Sequence, residues 1–135
     1  GRKPKSPVSN GSIFSEIKLN MIAVIFEIWI KEGKKSNYLD IASELKLQLN
    51  RIEGFISIER FQSISAPDKL LSLSFWQNEA AVAQWRNLEL HRKAQLKGRD
   101  SIFNNYQIRV TSVMRNYGMR SRLESPNDSK SSLGI

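Results

Sequence analysis

Apolar residues change their spacing several times between residues 21 and 117, and the order of these changes constrains the fold more than any other feature. Residues 21–30 form a short apolar run, interrupted only by Glu27 and rich in β-branched and aromatic side chains, which is typical of a buried strand. A polar stretch containing Gly33 follows. Apolar residues then recur at three- and four-residue steps, which predicts a helix that Gly54 can end: Tyr38, Ile41, Ala42, Leu45, Leu49 and Ile52.

The rest of this region predicts a hairpin, a second helix and a last strand. Residues 55–63 and 69–76 alternate as strands do, on either side of the turn signal Ser-Ala-Pro-Asp at 65–68. Asn78 is placed to cap the second helix, with Glu79 in its first turn and Gly98 at its end. The helix has apolar positions Ala81, Val82, Trp85 and Leu88. Residues 103–117 form the last strand, with one face made of Tyr106, Ile108, Val110 and Met114.

The resulting order, βαββαβ, is typical of an α+β ferredoxin-like sandwich, in which a four-stranded antiparallel sheet carries two helices on one face. Such a sheet leaves its other face uncovered. Several strands carry apolar side chains on both faces, such as Phe26 and Trp29 on the first strand. A monomer would expose a large apolar surface, so we predict a homodimer that forms through the open sheet face.

Composition sets the domain limits and excludes several classes of function. We expect one domain at residues 21–117, a flexible N-terminal extension at 1–20 and a flexible tail at 118–135. Half of the net charge of +8 lies in these two extensions, which argues against a concentrated nucleic-acid footprint. No apolar run is long enough for a membrane helix and no secretory signal is recognisable. The absence of cysteine excludes disulfides and a thiolate nucleophile and is compatible with a cytoplasmic location.

Four segments carry a resemblance to a known family: MIAVIFEIWIKEGKK, GFISIERF, LLSLSFWQNEAAVAQWRN and HRKAQLKGRDSIF. Together they closely resemble the antibiotic biosynthesis monooxygenase family, over residues 21–117. The resemblance implies a dimeric α+β barrel with a pocket in each subunit between sheet and helices. It also implies a cofactor-independent monooxygenase that acts on a small aromatic or quinol-type substrate, or alternatively a non-catalytic dimeric binding protein. Other members of the family degrade haem.

Departures from the family pattern narrow these options. The haem-degrading branch has an asparagine on the first strand, a tryptophan on the second helix and a histidine ten residues later. Trp85 can match the tryptophan, but Gln95 stands where the histidine would be and the first strand has Glu27 and no asparagine. Haem degradation by that arrangement is therefore disfavoured. RNA-recognition domains share the element order, but residues 69–76 lack the glycines and aromatic spacing of their stacking motif.

The candidate site residues each have a structural alternative. His91, the single histidine, suits a general base, or is simply an exposed helix residue. Trp85 and Trp76 suit stacking on an aromatic substrate, or core filling. Arg92 and Gln95 lie on the Trp85 side of the helix, where arginine can hold an enolate oxygen or pair with Glu89.

Two residues of the first strand complete the candidate set. Trp29 belongs to the dimer contact or to the pocket mouth. Glu27 interrupts an apolar strand, so we expect it to pair with Arg60 or Arg109 across the sheet, with a pocket role as the alternative. No metal site is expected, and the sequence has no nucleotide or flavin motif, so no cofactor is predicted either.

Overall fold

The computed structural model of the chain describes residues 21–95 and 102–130, without the side chains of 89–95 and 129–130. Its elements are β1 (Ile22–Ile30), α1 (Lys35–Leu49), β2 (Phe55–Gln62), β3 (Lys69–Trp76), α2 (Glu79–Gln95), β4 (Phe103–Ser112) and a single turn, α3 (Asn127–Lys130). The predicted βαββαβ order is confirmed. Residues 1–20 and Gly98, for which we made predictions, lie outside the described residues. Within the described ranges no helix is long and apolar enough to span a membrane.

The four strands form one antiparallel sheet in the order β2-β3-β1-β4. The central strand β1 pairs with both β3 and β4, while β2 and β4 form the two edges. β4 ends at Ser112, five residues before the predicted end of this strand. The reason is the register: Ser112 lies opposite Ile22, the first residue of β1, so the chain beyond has no further strand to pair with.

Both helices pack on the same face of the sheet, as predicted. One core cluster joins the end of α1 and the start of α2 to the sheet: Ile22, Val24, Leu49, Ile52, Trp76, Ala81, Val82 and Trp85. The other lies under the first half of α1: Ile28, Ile30, Tyr38, Ala42 and Leu70. The strand residues in both clusters have even numbers in β1 and β3, because alternate residues of a strand point to the same face. We call this face the helix side and the opposite one the open face.

Two local signals position the helices. Gly54 has a φ of +97°, in the left-handed region that favours glycine, and its carbonyl accepts a hydrogen bond from the Gln77 N–H at 2.7 Å. The Asn78 side-chain oxygen accepts a hydrogen bond from the Ala81 N–H at 2.9 Å, which confirms the predicted N-cap of α2. β2 and α2 therefore begin at adjacent points, next to the first core cluster.

Candidate functional site

An apolar strip along β4 remains open on the helix side. Tyr106, Ile108 and Val110 are 43%, 42% and 49% exposed to solvent in the described structure. Each lies directly opposite an even-numbered residue of β1, so the three side chains project from the same face as the helices. The strip thus borders the hydrophobic core without belonging to it. Apolar side chains half-exposed in a row beside a core form a surface that a small apolar molecule can cover.

Aromatic rings close the end of this strip that lies nearest α1. The Phe26 ring lies 5.7 Å from that of Tyr106 and 6.3 Å from that of Phe103, in edge-to-face geometry. Phe103 in turn contacts Tyr38 of α1 at 5.8 Å between ring centroids. Edge-to-face contacts are favourable for aromatic pairs, so these rings hold one another in position. We call the strip and its aromatic end the β4 groove: Phe26, Tyr38, Phe103, Tyr106, Ile108 and Val110.

Tyr38, at the aromatic end of the groove, contacts a charged side chain. Its hydroxyl accepts a hydrogen bond from the Arg60 Nε at 3.3 Å, and the Arg60 guanidinium lies 5.9 Å from the centre of its ring. Arg60 projects from β2 on the helix side, because it lies opposite the buried Ser72 of β3. Tyr38 is buried in the second core cluster, so its ring borders the aromatic end of the groove while its hydroxyl is held by Arg60 of β2.

The structure places Trp76 and Trp85 in the first core cluster. Trp76 is completely buried, and its Nε1 donates a hydrogen bond to Ser74 Oγ at 2.8 Å. Its ring lies 6.0 Å from that of Trp85, which is 7% exposed, and 5.1 Å from that of Phe55. Burial of both indoles beneath α2 favours the core-filling alternative. Contact of either ring with a substrate stays a prediction.

Glu27 and Trp29 lie on the open face, separated from the groove by the sheet itself. The Glu27 carboxylate bonds to Arg109 Nη1 at 2.6 Å and to Lys69 Nζ at 3.0 Å, and these two cations hold its pKa below the ordinary value. Of the two partners considered for Glu27, Arg109 is therefore confirmed, whereas Arg60 lies on the helix side beside Tyr38. Lys69 also lies over the Trp29 ring, 4.8 Å from its centre. This arrangement favours an ion pair across the sheet over a pocket role for Glu27.

His91, Arg92 and Gln95 all lie within α2, but their side chains are outside the described part of the structure. Their proposed roles stay predictions. Phe26, Tyr38 and Phe103 form the aromatic end of the β4 groove, and sequence reasoning did not single them out as candidate site residues. A usable signal was present in β4, where apolar side chains alternate with Asn105, Gln107 and Arg109.

A concavity of about 490 Å³ opens elsewhere, where β1 ends. Its lining mixes Lys31 and Lys35 with Glu32 and Asp68, so the opposite charges balance and select no particular ligand. Lys35 already donates to Gln62 Oε1 at 2.7 Å. Within the described residues, no three His, Cys, Asp or Glu side chains cluster as a metal site would require. The β4 groove is therefore the better candidate for a ligand.

Several known proteins are similar to this chain in sequence or in structure. The model of the antibiotic biosynthesis monooxygenase family matches residues 21–97. A jasmonate monooxygenase of Pyricularia oryzae is 43% identical over 93 residues, which are 69% of this chain and 43% of that protein, so the chain spans less than half the length of this relative. The uncharacterised protein YqjZ of Bacillus subtilis is 28% identical over 93 residues, covering 69% of this chain and 79% of YqjZ.

Solved structures agree on the fold. SnoaB, a cofactor-independent oxygenase from Streptomyces nogalater, superimposes with a TM-score of 0.60 at 7% identity, covering 72% of this chain and 96% of SnoaB. A conserved protein from Methanosarcina mazei has a TM-score of 0.61 at 16% identity, covering 73% of this chain and 97% of its own. At such low identity these two likenesses support the ferredoxin-like architecture alone.

Proposed function

The chain belongs to the antibiotic biosynthesis monooxygenase family, and on that premise we propose that it is a cofactor-independent monooxygenase that binds a small aromatic or quinol-type substrate in the β4 groove. The observation that carries this proposal is the half-exposed row Tyr106, Ile108 and Val110, next to the rings of Phe26 and Phe103. Such walls favour the binding of flat apolar ligands, because these ligands bury apolar surface against the side chains and pack against the edges of the rings.

The reaction we propose takes its electrons from the substrate. A substrate CH₂ flanked by aromatic rings loses a proton, and the resulting carbanion reduces O₂. One oxygen atom becomes the carbonyl of the product and the other leaves as water, so that RCH₂R′ + O₂ gives RC(=O)R′ + H₂O. In this scheme His91 is the general base. Arg92 and Gln95 hold the enolate oxygen that shares the carbanion charge.

The name of one relative supports a monooxygenase reaction, because the 43% identical protein of Pyricularia oryzae is called a jasmonate monooxygenase. Jasmonate itself has no CH₂ between aromatic rings, so anthrone-type compounds are the substrates that test the step proposed here. We also propose that the protein is a homodimer formed through the open face, which carries half-buried Leu71, Leu73 and Phe75 beside the 41% exposed Phe61.

A non-catalytic binding protein is the second candidate. The described lining of the β4 groove is apolar apart from the tyrosine hydroxyls, and such a lining binds a ligand whether or not a base is present. The two candidates differ in turnover. Saturable binding of anthrone without oxygen consumption selects the binding protein. Oxygen consumption that depends on His91 selects the enzyme.

Variants of the groove test the proposal. Ile108→Glu places a carboxylate in the apolar strip, and we expect kcat/KM for oxygen consumption with anthrone to fall at least about tenfold, since burying a charge against a ligand costs a few kcal/mol. Leu47→Glu is the matched control, because Leu47 is 68% exposed on α1. This substitution changes the charge of the protein by the same amount. His91→Ala should lower kcat by roughly 100-fold if it removes the general base. Equal activity of Ile108→Glu and Leu47→Glu would place the substrate elsewhere.

A further inference from the structure

One row of side chains crosses the helix side of the sheet between the two core clusters. The strand register aligns four residues in this row, one from each strand: Arg60, Ser72, Phe26 and Ile108. We call them the middle row. The next helix-side positions of β1 are Val24 and Ile28, and these two residues belong to different core clusters. The middle row therefore leads from the β4 groove to the β2 edge along the boundary between the clusters.

Arg60 brings a positive charge to the β2 end of this row without an opposite charge beside it. Its side chain is half-buried, and its Nε donates to the Tyr38 hydroxyl at 3.3 Å. Within the part of the chain whose side chains are described, no carboxylate pairs with Arg60. Taking a charge out of water costs free energy unless an opposite charge compensates it. A ligand that carries an anion would supply the missing partner, and the hydroxyl of the buried Ser72 is a second donor on the same row.

Tyr38 fixes the direction in which the Arg60 guanidinium points. Its hydroxyl accepts the hydrogen bond from Nε, and the guanidinium carbon lies 5.9 Å from the centre of its ring. With Nε engaged, the two Nη atoms form the edge that remains for a ligand. This edge presents two parallel N–H groups, which match the two oxygens of a carboxylate and bind it more strongly than a neutral acceptor. Tyr38 is thus a positioning residue, and Arg60 is the group that contacts the anion.

We propose that the substrate of the β4 groove carries a carboxylate and that the Nη edge of Arg60 binds it. Arg60 and Phe26 are two strand spacings apart along the middle row, about 10 Å, which is close to the length of a three-ring aromatic molecule. The rings of such an acid can lie against Phe26 and Ile108 while its carboxylate reaches Arg60. The inference rests on the proposed function and deepens it, because it names the class of substrate as an aromatic carboxylic acid.

Equilibrium dialysis with two matched ligands tests the inference without any turnover. Anthraquinone-2-carboxylate and anthraquinone-2-carboxamide have nearly the same shape and differ in charge. We expect wild-type protein to bind the carboxylate at least about tenfold more tightly, because hydrogen bonds to charged groups are stronger than those between neutral groups. Arg60→Gln should bring the ratio of the two dissociation constants close to one. Arg51→Gln is the matched control and should leave the ratio unchanged, because Arg51 is exposed beyond the end of α1 and the substitution removes the same charge.

Two milder variants keep the test decisive if Arg60→Gln does not fold. Arg60→Lys retains the charge without the paired N–H groups, so it should keep only part of the preference for the carboxylate. Tyr38→Phe removes the acceptor of Arg60 Nε, so it should weaken binding of the carboxylate severalfold and leave binding of the carboxamide unchanged. A wild-type ratio near one, a ratio that the Arg60 variants do not change, or no binding of either ligand would overturn the inference. Oxygen consumption with anthrone, which has no carboxylate, reports on the proposed reaction separately, so the two proposals can fail independently.

Discussion

Replacing Gly54 by alanine adds one methyl group at the point where β2 begins and α2 is anchored. A Cβ at this position would lie 2.9 Å from the Cβ of Ala81, closer than carbon atoms pack in proteins. The backbone is also strained for any residue other than glycine, because φ is +97°. Gly33 provides a matched control. Its φ is +78°, but nothing lies within 4 Å of the position that its Cβ would take.

The two substitutions therefore separate backbone strain from steric overlap. The left-handed conformation costs about 1 kcal/mol or slightly more for alanine, and Gly33→Ala should lose no more stability than this. Gly54→Ala adds the overlap with Ala81, and forcing extra volume into a packed site costs about 1–3 kcal/mol. Its total loss is then about 2–4 kcal/mol, still below the stability of a typical domain, so the variant should remain folded.

Urea denaturation followed by tryptophan fluorescence measures these losses, because Trp76 and Trp85 lie in the core next to Ala81. The double variant Gly54→Ala, Ala81→Gly removes the overlap and keeps the strain. It should show a coupling of about 1–3 kcal/mol in a double-mutant cycle. If Gly54→Ala and Gly33→Ala lose the same stability, or if the double-mutant cycle shows no coupling, then the close approach of β2 and α2 described above is refuted.

Two further predictions concern α2 and the open face. Asn78→Ala should destabilise the protein by about 1 kcal/mol in urea denaturation, because the first turn of α2 loses its cap, whereas Asn78→Ser keeps an acceptor and most of the stability. Glu27 has a pKa below its ordinary value in the folded chain, owing to Arg109 and Lys69. Its ion pairs therefore stabilise the fold fully above the ordinary pKa of a glutamate, and this effect is lost as the pH falls from that value through the lower pKa of the folded chain. The Tm difference between wild type and Glu27→Gln should thus shrink from pH 7 to pH 3, and a difference that stays constant would contradict this explanation.

Local sequence signals predicted much of the fold because they act over a few residues. Asn78 caps α2 and Gly54 takes a positive φ as expected, since both requirements are set by the backbone within one turn. Gly54 does not end the first helix as predicted, because α1 already ends at Leu49. The pairing of Glu27 with Arg109 was also anticipated, because a charge within an apolar strand must find a partner. The end of β4 was placed too late, since strand length depends on where the partner strand begins.

The site was harder to predict because its parts come from distant segments. Phe26, Tyr38, Phe103 and Tyr106 lie on β1, α1 and β4, and only the sheet order brings their rings within about 6 Å of one another. Tryptophans attract attention in a sequence because they suit ligand stacking, yet Trp76 is buried completely. The identity of an aromatic residue does not show whether other elements of the fold will bury it or leave it exposed.

The sequence by itself determined the element order, the pairing of two helices with one antiparallel sheet and the presence of an apolar face without cover. These properties follow from hydrophobic periods of two and of about 3.6 residues, which local geometry imposes. Only the tertiary structure decided that Glu27 and Trp29 project from the open face, that Trp76 and Trp85 fill the core, and that the described residues leave the apolar strip on β4 half-exposed on the helix side. The physical reason is that burial depends on which strand becomes an edge and how far each helix extends over it, and neither is encoded in the residues of that strand alone.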